Sequence, residues 1–364
     1  MKTMINIAKE FAIEGNITNI APYGSGHINS TFLISTDSSN EYILQKINTS
    51  VFKIPYELME NIVSVTNYLQ DVIKRENGDP QREVLNVILT KDGNSYVLHE
   101  SGAWRLLTFV PDSTTLQAVT CPKDFYFAGK AFGRFTKQLN DYPAETLHET
   151  IKNFHNTPVR YKNFEDAVAK NASGKADSVS DEIEFVRARK DFCSLFTDKV
   201  ADGTLPLRVT HNDTKLNNVL FDKNTLLPIA VIDLDTVMPG LSLYDFGDAI
   251  RFGTNHADED EKDLSKVWCD LELFEAFARG YLEECGCLLT DEELKMLPYA
   301  GKMLTLECGM RFLADHIAGD VYFKIHRENH NLDRARTQFK MVEDMEAKQD
   351  EMIAIIERLC KEIL

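Results

Sequence analysis

Val209-Thr-His211-Asn-Asp213-Thr-Lys215-Leu-Asn-Asn218-Val-Leu-Phe221, followed after a turn by Pro228-Ile-Ala-Val-Ile232-Asp233-Leu234-Asp235, decides how this chain is read. Val219–Phe221 and Pro228–Ile232 are short apolar runs around a polar turn, the pattern of paired strands. Three polar residues stand in order about them: Asp213, Asn218 five residues later and Asp233 twenty residues later. Transfer of a phosphoryl group to a hydroxyl needs a carboxylate that orients the nucleophile and takes its proton. It also needs oxygen donors that hold a divalent cation against the phosphates. Asp213 is the candidate base, and Asn218 and Asp233 are the candidate Mg²⁺ ligands. A single Asp in a loop is ordinarily a turn or cap residue, so the ordered set carries the argument. His211 is expected to pack beneath the loop and hold it by hydrogen bonds.

Upstream, the first hundred residues read as strand-rich. Thr31–Ser35 and Tyr42–Ile47 flank the turn Asp37-Ser-Ser-Asn40. Pro55 to about Ile73 has Leu58, Ile62, Val65 and Leu69 at helical spacing. Val84–Thr90 and Ser95–His99 are joined by Lys91-Asp-Gly-Asn94, a hairpin signal. Trp104–Val110 is a last apolar strand, ended by Pro111-Asp-Ser113.

Downstream of that turn, Lys123–Leu139 reads as a helix, 141–180 as polar and irregular, and Asp181–Phe196 as a helix capped by Ser180. Leu207–Thr210 is a further short strand, and the chain beyond Leu243 is mostly helical. In Thr337–Leu364, Val342, Met345, Met352, Ile356, Leu359 and Ile363 form a stripe that reads as a core face. The fold class is α+β, with 1–110 as a nucleotide-binding lobe and 111–364 as a catalytic and acceptor-binding lobe.

Composition narrows the function. The chain has 364 residues, 43% apolar and 27% charged, enough for a sizeable core. With 40 basic and 57 acidic residues its formal charge is −17, which argues against a nucleic-acid-coating surface. No apolar run is long enough to span a membrane, and Glu10 and Glu14 interrupt the only apolar stretch that could serve as a leader. Seven cysteines without framework or zinc spacing read as reduced thiols. The expected setting is the cytoplasm, with no nucleic-acid or membrane partner.

His211-Asn-Asp-Thr-Lys-Leu-Asn-Asn218 resembles the catalytic loop of the aminoglycoside phosphotransferase/choline kinase superfamily. Together with Ile232-Asp-Leu-Asp-Thr-Val-Met-Pro-Gly-Leu241 and Leu306-Glu-Cys-Gly-Met-Arg-Phe-Leu313, it is similar to the N-acetylhexosamine 1-kinases. The resemblance runs from Tyr23 to about Gln338. It implies a bilobal protein-kinase-like fold, with a β-rich N-terminal lobe and a mainly helical C-terminal lobe, and ATP and Mg²⁺ as cofactors. It also implies phosphorylation of the anomeric hydroxyl of N-acetylglucosamine or N-acetylgalactosamine. Arg311 and Tyr322 would line the sugar pocket, with His27 and Phe252 near the acetamido group.

The literal Asp245-Phe-Gly247 does not displace Asp233 as metal ligand. In protein kinases that tripeptide opens with the metal-binding Asp, but here Asp245 begins a helical pattern with Asp248, Ile250 and Arg251. Asp245 is therefore expected to be a helix cap or a buttress under the catalytic loop. Asp235 is open between supporting the metal site, meeting the acceptor and a solvated loop position.

For the nucleotide, Tyr23-Gly24-Ser25-Gly26-His27-Ile-Asn29 could cradle phosphates with backbone N–H groups. It departs from the protein-kinase glycine loop at Asn29, where a third glycine would stand. Lys46, closing the strand Tyr42–Lys46, is the candidate phosphate-binding lysine, with Glu60 as its partner and Glu57 in reserve. Backbone groups of Phe109 and Val110 are placed to meet adenine. Only eleven residues separate Asp233 from Asp245, too few for a peptide-docking platform, so a small acceptor is favoured. An aminoglycoside, homoserine, choline or another sugar remains open as acceptor, as does a catalytically inactive nucleotide-binding scaffold.

Overall fold

The computed structural model describes residues 2–24 and 28–364, and the statements below concern these residues. In chain order the elements are α1 (Lys2–Ala8), β1 (Ile17–Pro22), β2 (Ser30–Thr36), β3 (Glu41–Lys46), α2 (Pro55–Arg75), β4 (Val87–Ile88), β5 (Val97–His99), β6 (Gly102–Thr108) and β7 (Ser113–Thr114). There follow α3 (Pro122–Gln138), α4 (Thr157–Lys170), α5 (Ser180–Arg187), α6 (Leu195–Ala201), β8 (Arg208–Thr210), β9 (Val219–Asp222), β10 (Pro228–Val231) and β11 (Met238–Gly240). The chain closes with α7 (Ser242–Gly253), α8 (Leu271–Cys285), α9 (Asp291–Ala318), α10 (His330–Ala347) and α11 (Gln349–Ile363). The fold class is α+β, as expected. No helix is long and apolar enough to cross a membrane.

The chain divides into two compact units that are discontinuous in sequence. The first comprises Met1–Thr115, Asp141–Lys152 and Val219–Pro239, and the second the remaining three segments. In the first unit an antiparallel sheet has the order β1-β2-β3-β6-β4, with β5 also paired to β6. Its apolar face is built by Ile34, Leu44 and Leu106, all fully buried, against Ile7, Ala8 and Phe11. The expected α2 stripe is present, with Leu58, Ile62, Val65, Leu69 and Ile73 buried. A second sheet, β10-β9-β7, is formed by the run that carries Asp233.

The expected hairpin at 91–94 forms as a turn but not as a strand pair. Gly93 has φ 83° and its N–H reaches the Thr90 carbonyl. Both flanking strands, however, pair with β6 rather than with each other. β6 is buried from Ala103 to Leu107 and offers the better partner, which shortens the first strand to Val87–Ile88.

The second unit is helical. α3 and α8 cross at backbone contact: a Cβ on Gly129 would lie 2.3 Å from the Phe277 carbonyl oxygen, and one on Gly280 2.2 Å from that of Tyr126. Both positions therefore require glycine. From Leu297 onward α9 is largely buried, with α4, α7 and α10 packed around it. Its start is fixed by a reciprocal cap between Thr290 and Glu293. Glu293 also takes a bidentate Arg208 guanidinium (2.7 and 2.8 Å) and the Ser242 hydroxyl (2.7 Å), which ties β8, α7 and α9 together.

Three expectations about this unit are corrected. Within 141–180, α4 is a full helix: Asn156 caps it and Pro158 stands in its first turn, but its one large buried residue, Phe164, gives little periodic signal. The helix expected over Asp181–Phe196 ends at Arg187 and resumes at Leu195, and Ser180 lies inside its first turn rather than capping it. The C-terminal stripe is a core face, but the helix breaks at Lys348 into α10 and α11.

Candidate active site

In the second unit the loop that carries Asp213 leaves β8 and is held by α7. Asp245 is buried, and its two carboxylate oxygens accept the N–H groups of His211 (2.8 Å) and Asn212 (2.7 Å). Three residues on, hence on the same helix face, Asp248 accepts the Thr214 N–H (3.0 Å) and pairs with Arg251 (2.8 Å). Asn212 takes a left-handed conformation (φ 63°), and the four N–H···carboxylate and hydroxyl contacts from His211 to Thr214 hold that turn. His211 is fully buried with its ring edge-on to Phe132 and Phe135 of α3.

Burial raises Asp245 to about 6, against the pull of His211 and the two N–H groups. Burial also acts to raise Asp248, but Arg251 and Lys215 overcome it and hold that carboxyl below its ordinary value. Asp245 thus has both oxygens engaged under the loop, as a buttress and not a helix cap.

Above this platform Asp213 is half-buried. Its Oδ1 lies 2.8 Å from Lys215 Nζ, and its Oδ2 accepts from Asn218 Nδ2 at 3.1 Å. Asn218 Nδ2 also donates to the Asp213 carbonyl at 2.8 Å. The amide nitrogen of Asn218 is thus engaged, while Oδ1, the atom a cation needs, has no partner among the described residues. Burial would lower the Lys215 ammonium, but Asp213 and Asp248 raise it above its ordinary value.

A deeper pair supports the loop from another side. His155 Nε2 lies 3.2 Å from the Asn212 carbonyl and its Nδ1 2.9 Å from Glu307 Oε1, while Thr157 donates to Glu307 Oε2 at 2.7 Å. Glu307 is one turn before Arg311 on α9. Arg311 lies over Phe154 (5.9 Å) and Phe323 (5.4 Å) and has no hydrogen-bond acceptor among the described residues. Arg311 and Tyr322 line one cavity of about 250 Å³ with Arg160 and Asp315. Phe252, half-buried on α7, does not line it, and His27 lies outside the described residues.

In the first unit, Asp233 is exposed and left-handed (φ 61°), between the buried residues Val231 and Leu234. Asp235 is buried instead: its Oδ1 is 2.5 Å from an Arg105 guanidinium that is 2% exposed, and its Oδ2 accepts from Asn29 at 2.6 Å. Of the readings open for Asp235, structural support fits this burial. Lys46 ends β3 opposite Trp104, with its stem across Gly102, where a Cβ would come within 2.8 Å of Lys46 Cε.

Lys46 and Glu60 do not pair. Glu60 meets His148 Nε2 (2.6 Å) and the Tyr56 hydroxyl (3.3 Å), and Lys46 has no carboxylate partner among the described residues. At the Phe109–Val110 segment, the Phe109 N–H donates to the Glu41 carbonyl and the Val110 carbonyl accepts from Ser113. The Phe109 carbonyl and the Val110 N–H have no partner among the described residues. Gly24 is described, with φ 73°, while Ser25 and Gly26 lie outside the described residues.

Asn218 and Asp233 both present hard oxygen donors of the kind Mg²⁺ selects, and Mg²⁺ ordinarily takes only one or two protein ligands beside phosphate and water. The donor set fits. Sequence reasoning missed Asp248, His155, Glu307, Arg160 and Arg105. Only Asp248 left a local trace, its spacing of three from Asp245.

The fold is shared with many solved structures, among them the following three. An amicoumacin kinase in complex with AMP-PNP, Ca²⁺ and amicoumacin matches with a TM-score of 0.62 at 13% identity, over 95% of this chain and 93% of that one. A microcompartment-associated aminopropanol kinase matches with a TM-score of 0.62 at 16% identity, over 96% and 98%. A spectinomycin phosphotransferase in complex with ADP and spectinomycin matches with a TM-score of 0.59 at 13% identity, over 96% and 98%. The model of the phosphotransferase enzyme family matches residues 19–285, a span that runs from within β1 to the end of α8 and includes Lys46, Asp213, Asn218 and Asp233. The chain therefore belongs to the phosphotransferase enzyme family.

Proposed function

We propose that this phosphotransferase uses ATP and Mg²⁺ to phosphorylate the anomeric hydroxyl of an N-acetylhexosamine. The observation that carries the choice of acceptor is Arg311. A half-buried guanidinium over two aromatic rings, with five N–H donors and no protein acceptor among the described residues, is prepared for a ligand rich in oxygen. Phe323 and Tyr322, which line the cavity, offer aromatic surface to the apolar side of a pyranose. Arg160 beside Arg311 makes the cavity unfavourable for a quaternary ammonium or polyamine. At about 250 Å³ the cavity lies below the roughly 300–1,000 Å³ of drug-sized pockets, which suits one sugar unit.

Asp213 accepts the proton of the anomeric hydroxyl as its oxygen attacks the γ-phosphorus. The bond from that phosphorus to the β-phosphate oxygen breaks, and the sugar 1-phosphate and ADP leave. Asn218 Nδ2 hydrogen-bonds Asp213, and Asn218 Oδ1 and the Asp233 carboxylate are the groups that would hold Mg²⁺, whose charge would offset that of the phosphates. Lys215, 2.8 Å from Asp213 Oδ1, sets a positive charge beside the carboxylate. Lys46 is assigned to the α- and β-phosphates, and the Phe109 carbonyl and Val110 N–H to adenine. The relatives bound to AMP-PNP and ADP support a nucleotide site of this kind.

The test is a panel of acceptors scored by ADP release, with the product's phosphate located by NMR. N-Acetylglucosamine or N-acetylgalactosamine should turn over with phosphate on C1, and Asp213→Asn should lose about 10²–10⁴-fold in rate with its melting temperature retained. Turnover of an amino alcohol with none for N-acetylhexosamines, or a near-normal rate for Asp213→Asn, would refute the proposal.

A further inference from the structure

Asn29 stands where a phosphate-binding glycine loop would carry glycine, and the structure gives that residue a specific use. Its Nδ2 donates to Asp235 Oδ2 at 2.6 Å, and its Oδ1 accepts the Asn48 N–H at 2.9 Å. Both ends of the amide are therefore fixed, one to the chain two residues beyond Asp233 and the other two residues beyond Lys46. Asp235 in turn pairs with the buried Arg105, whose Nε donates to Gln45, the neighbour of Lys46. Gln45 passes the chain on to Thr31 Oγ1 at 3.1 Å, on the strand that begins just after Asn29. A glycine at 29 has neither donor nor acceptor and would leave Asp235 Oδ2 and the Asn48 N–H without these partners. In this desolvated network an unmet polar group is expensive.

We propose that Asn29 is a positioning residue for phosphoryl transfer. It binds three segments into one frame: the loop before β2, the end of β3 with Lys46, and the turn with Asp233. Its side chain touches neither substrate nor metal; it sets where the Lys46 ammonium and the Asp233 carboxylate stand relative to each other. This inference rests on the proposed nucleotide and metal roles of those two residues.

The test uses the full chain with Mg·ATP as probe. Asn29→Gly removes the bracing without adding charge, and Asn29→Asp sets a carboxylate against Asp235. Asn29→Gly should weaken Mg·ATP binding by about tenfold, roughly the loss of one hydrogen bond to a charged group. It should raise the Mg²⁺ concentration needed for half-maximal rate and leave the acceptor KM within about twofold. Asn29→Asp should be worse, and Asn29→Asp combined with Asp235→Asn, which reverses the polarity of the contact, should recover part of the affinity. A role in stability alone would lower the melting temperature of Asn29→Gly with nucleotide affinity and acceptor KM unchanged at a permissive temperature, and that result overturns the inference. Wild-type protein that fails to bind Mg·ATP would instead sink the nucleotide-site reading, and this inference with it.

Discussion

Glu307 Oε1 lies 2.9 Å from His155 Nδ1, and both side chains are buried. The other imidazole nitrogen faces the Asn212 carbonyl, which can only accept, so Nε2 carries a proton. Burial pushes the Glu307 carboxyl up, but the His155 charge and hydrogen bond outweigh it, and the group titrates below its ordinary value. The pair therefore joins α9 to the backbone of the residue before Asp213.

Replacing Glu307 by Ala leaves His155 and Thr157 without their acceptor. Breaking a buried pair from one side typically costs about 3–5 kcal/mol. Urea unfolding should show a loss of that order, with a fall in turnover from the loosened Asn212. Glu307→Gln should be milder, because an amide can accept from His155 and donate to Thr157. An unchanged unfolding midpoint for the Ala variant would contradict this account.

Asp245 predicts the sign of a pH effect. Its folded value of about 6 exceeds the ordinary 3.8, so between these values the folded protein holds more of this proton than the unfolded chain. Stability from this group therefore falls as pH rises through that window and is flat above it. Asp248 acts oppositely: its folded value lies below 3.8, so its contribution is present above that pH and is lost on further acidification. Asp245→Asn should lower stability, since one carbonyl oxygen cannot replace two carboxylate oxygens toward two N–H groups. It should also remove the decline between about pH 4 and 6. Urea midpoints of both proteins across that range measure the difference; parallel profiles would argue against a buried, raised Asp245.

Arg311→Lys keeps a positive charge but loses the planar fork. The acceptor KM should rise about 10- to 100-fold, the range for one hydrogen bond to a charged group. The KM for ATP should stay as it is. Initial rates with each substrate varied separately would show the split, and an equal rise in both would point to a structural role.

The loop from His211 to Asn218 is legible as a motif because its pattern is local: His211, Asp213 and Asn218 lie close together in the chain, and their spacing survives in any fold. The separation of Asp245 from Asp233 was legible too, since one sits in a helical pattern and the other ends an apolar run. Partners distant in sequence were not. Glu60 reads as the helix glutamate that holds Lys46, yet the side chain it meets is His148, 88 residues away. Arg105 reads as an ordinary strand residue until Asp235 arrives beside it from 130 residues downstream. Strand partners failed for a related reason: the turn at Gly93 is encoded locally, while the choice of β6 over the neighbouring strand is settled by burial. α4 left a readable start in Asn156-Thr-Pro158, and only its sparse apolar content concealed it.

The crossing of α3 and α8 bears on the catalytic loop as well. Phe132 and Phe135, against which His211 leans, ride on a helix whose main chain already touches the main chain of its neighbour. The seat of His211 is thus gauged by the thickness of two polypeptide backbones rather than by the bulk of any side chain. Drift in the surrounding residues has no slack there to take up, so α3 can serve as a datum from which the loop is hung.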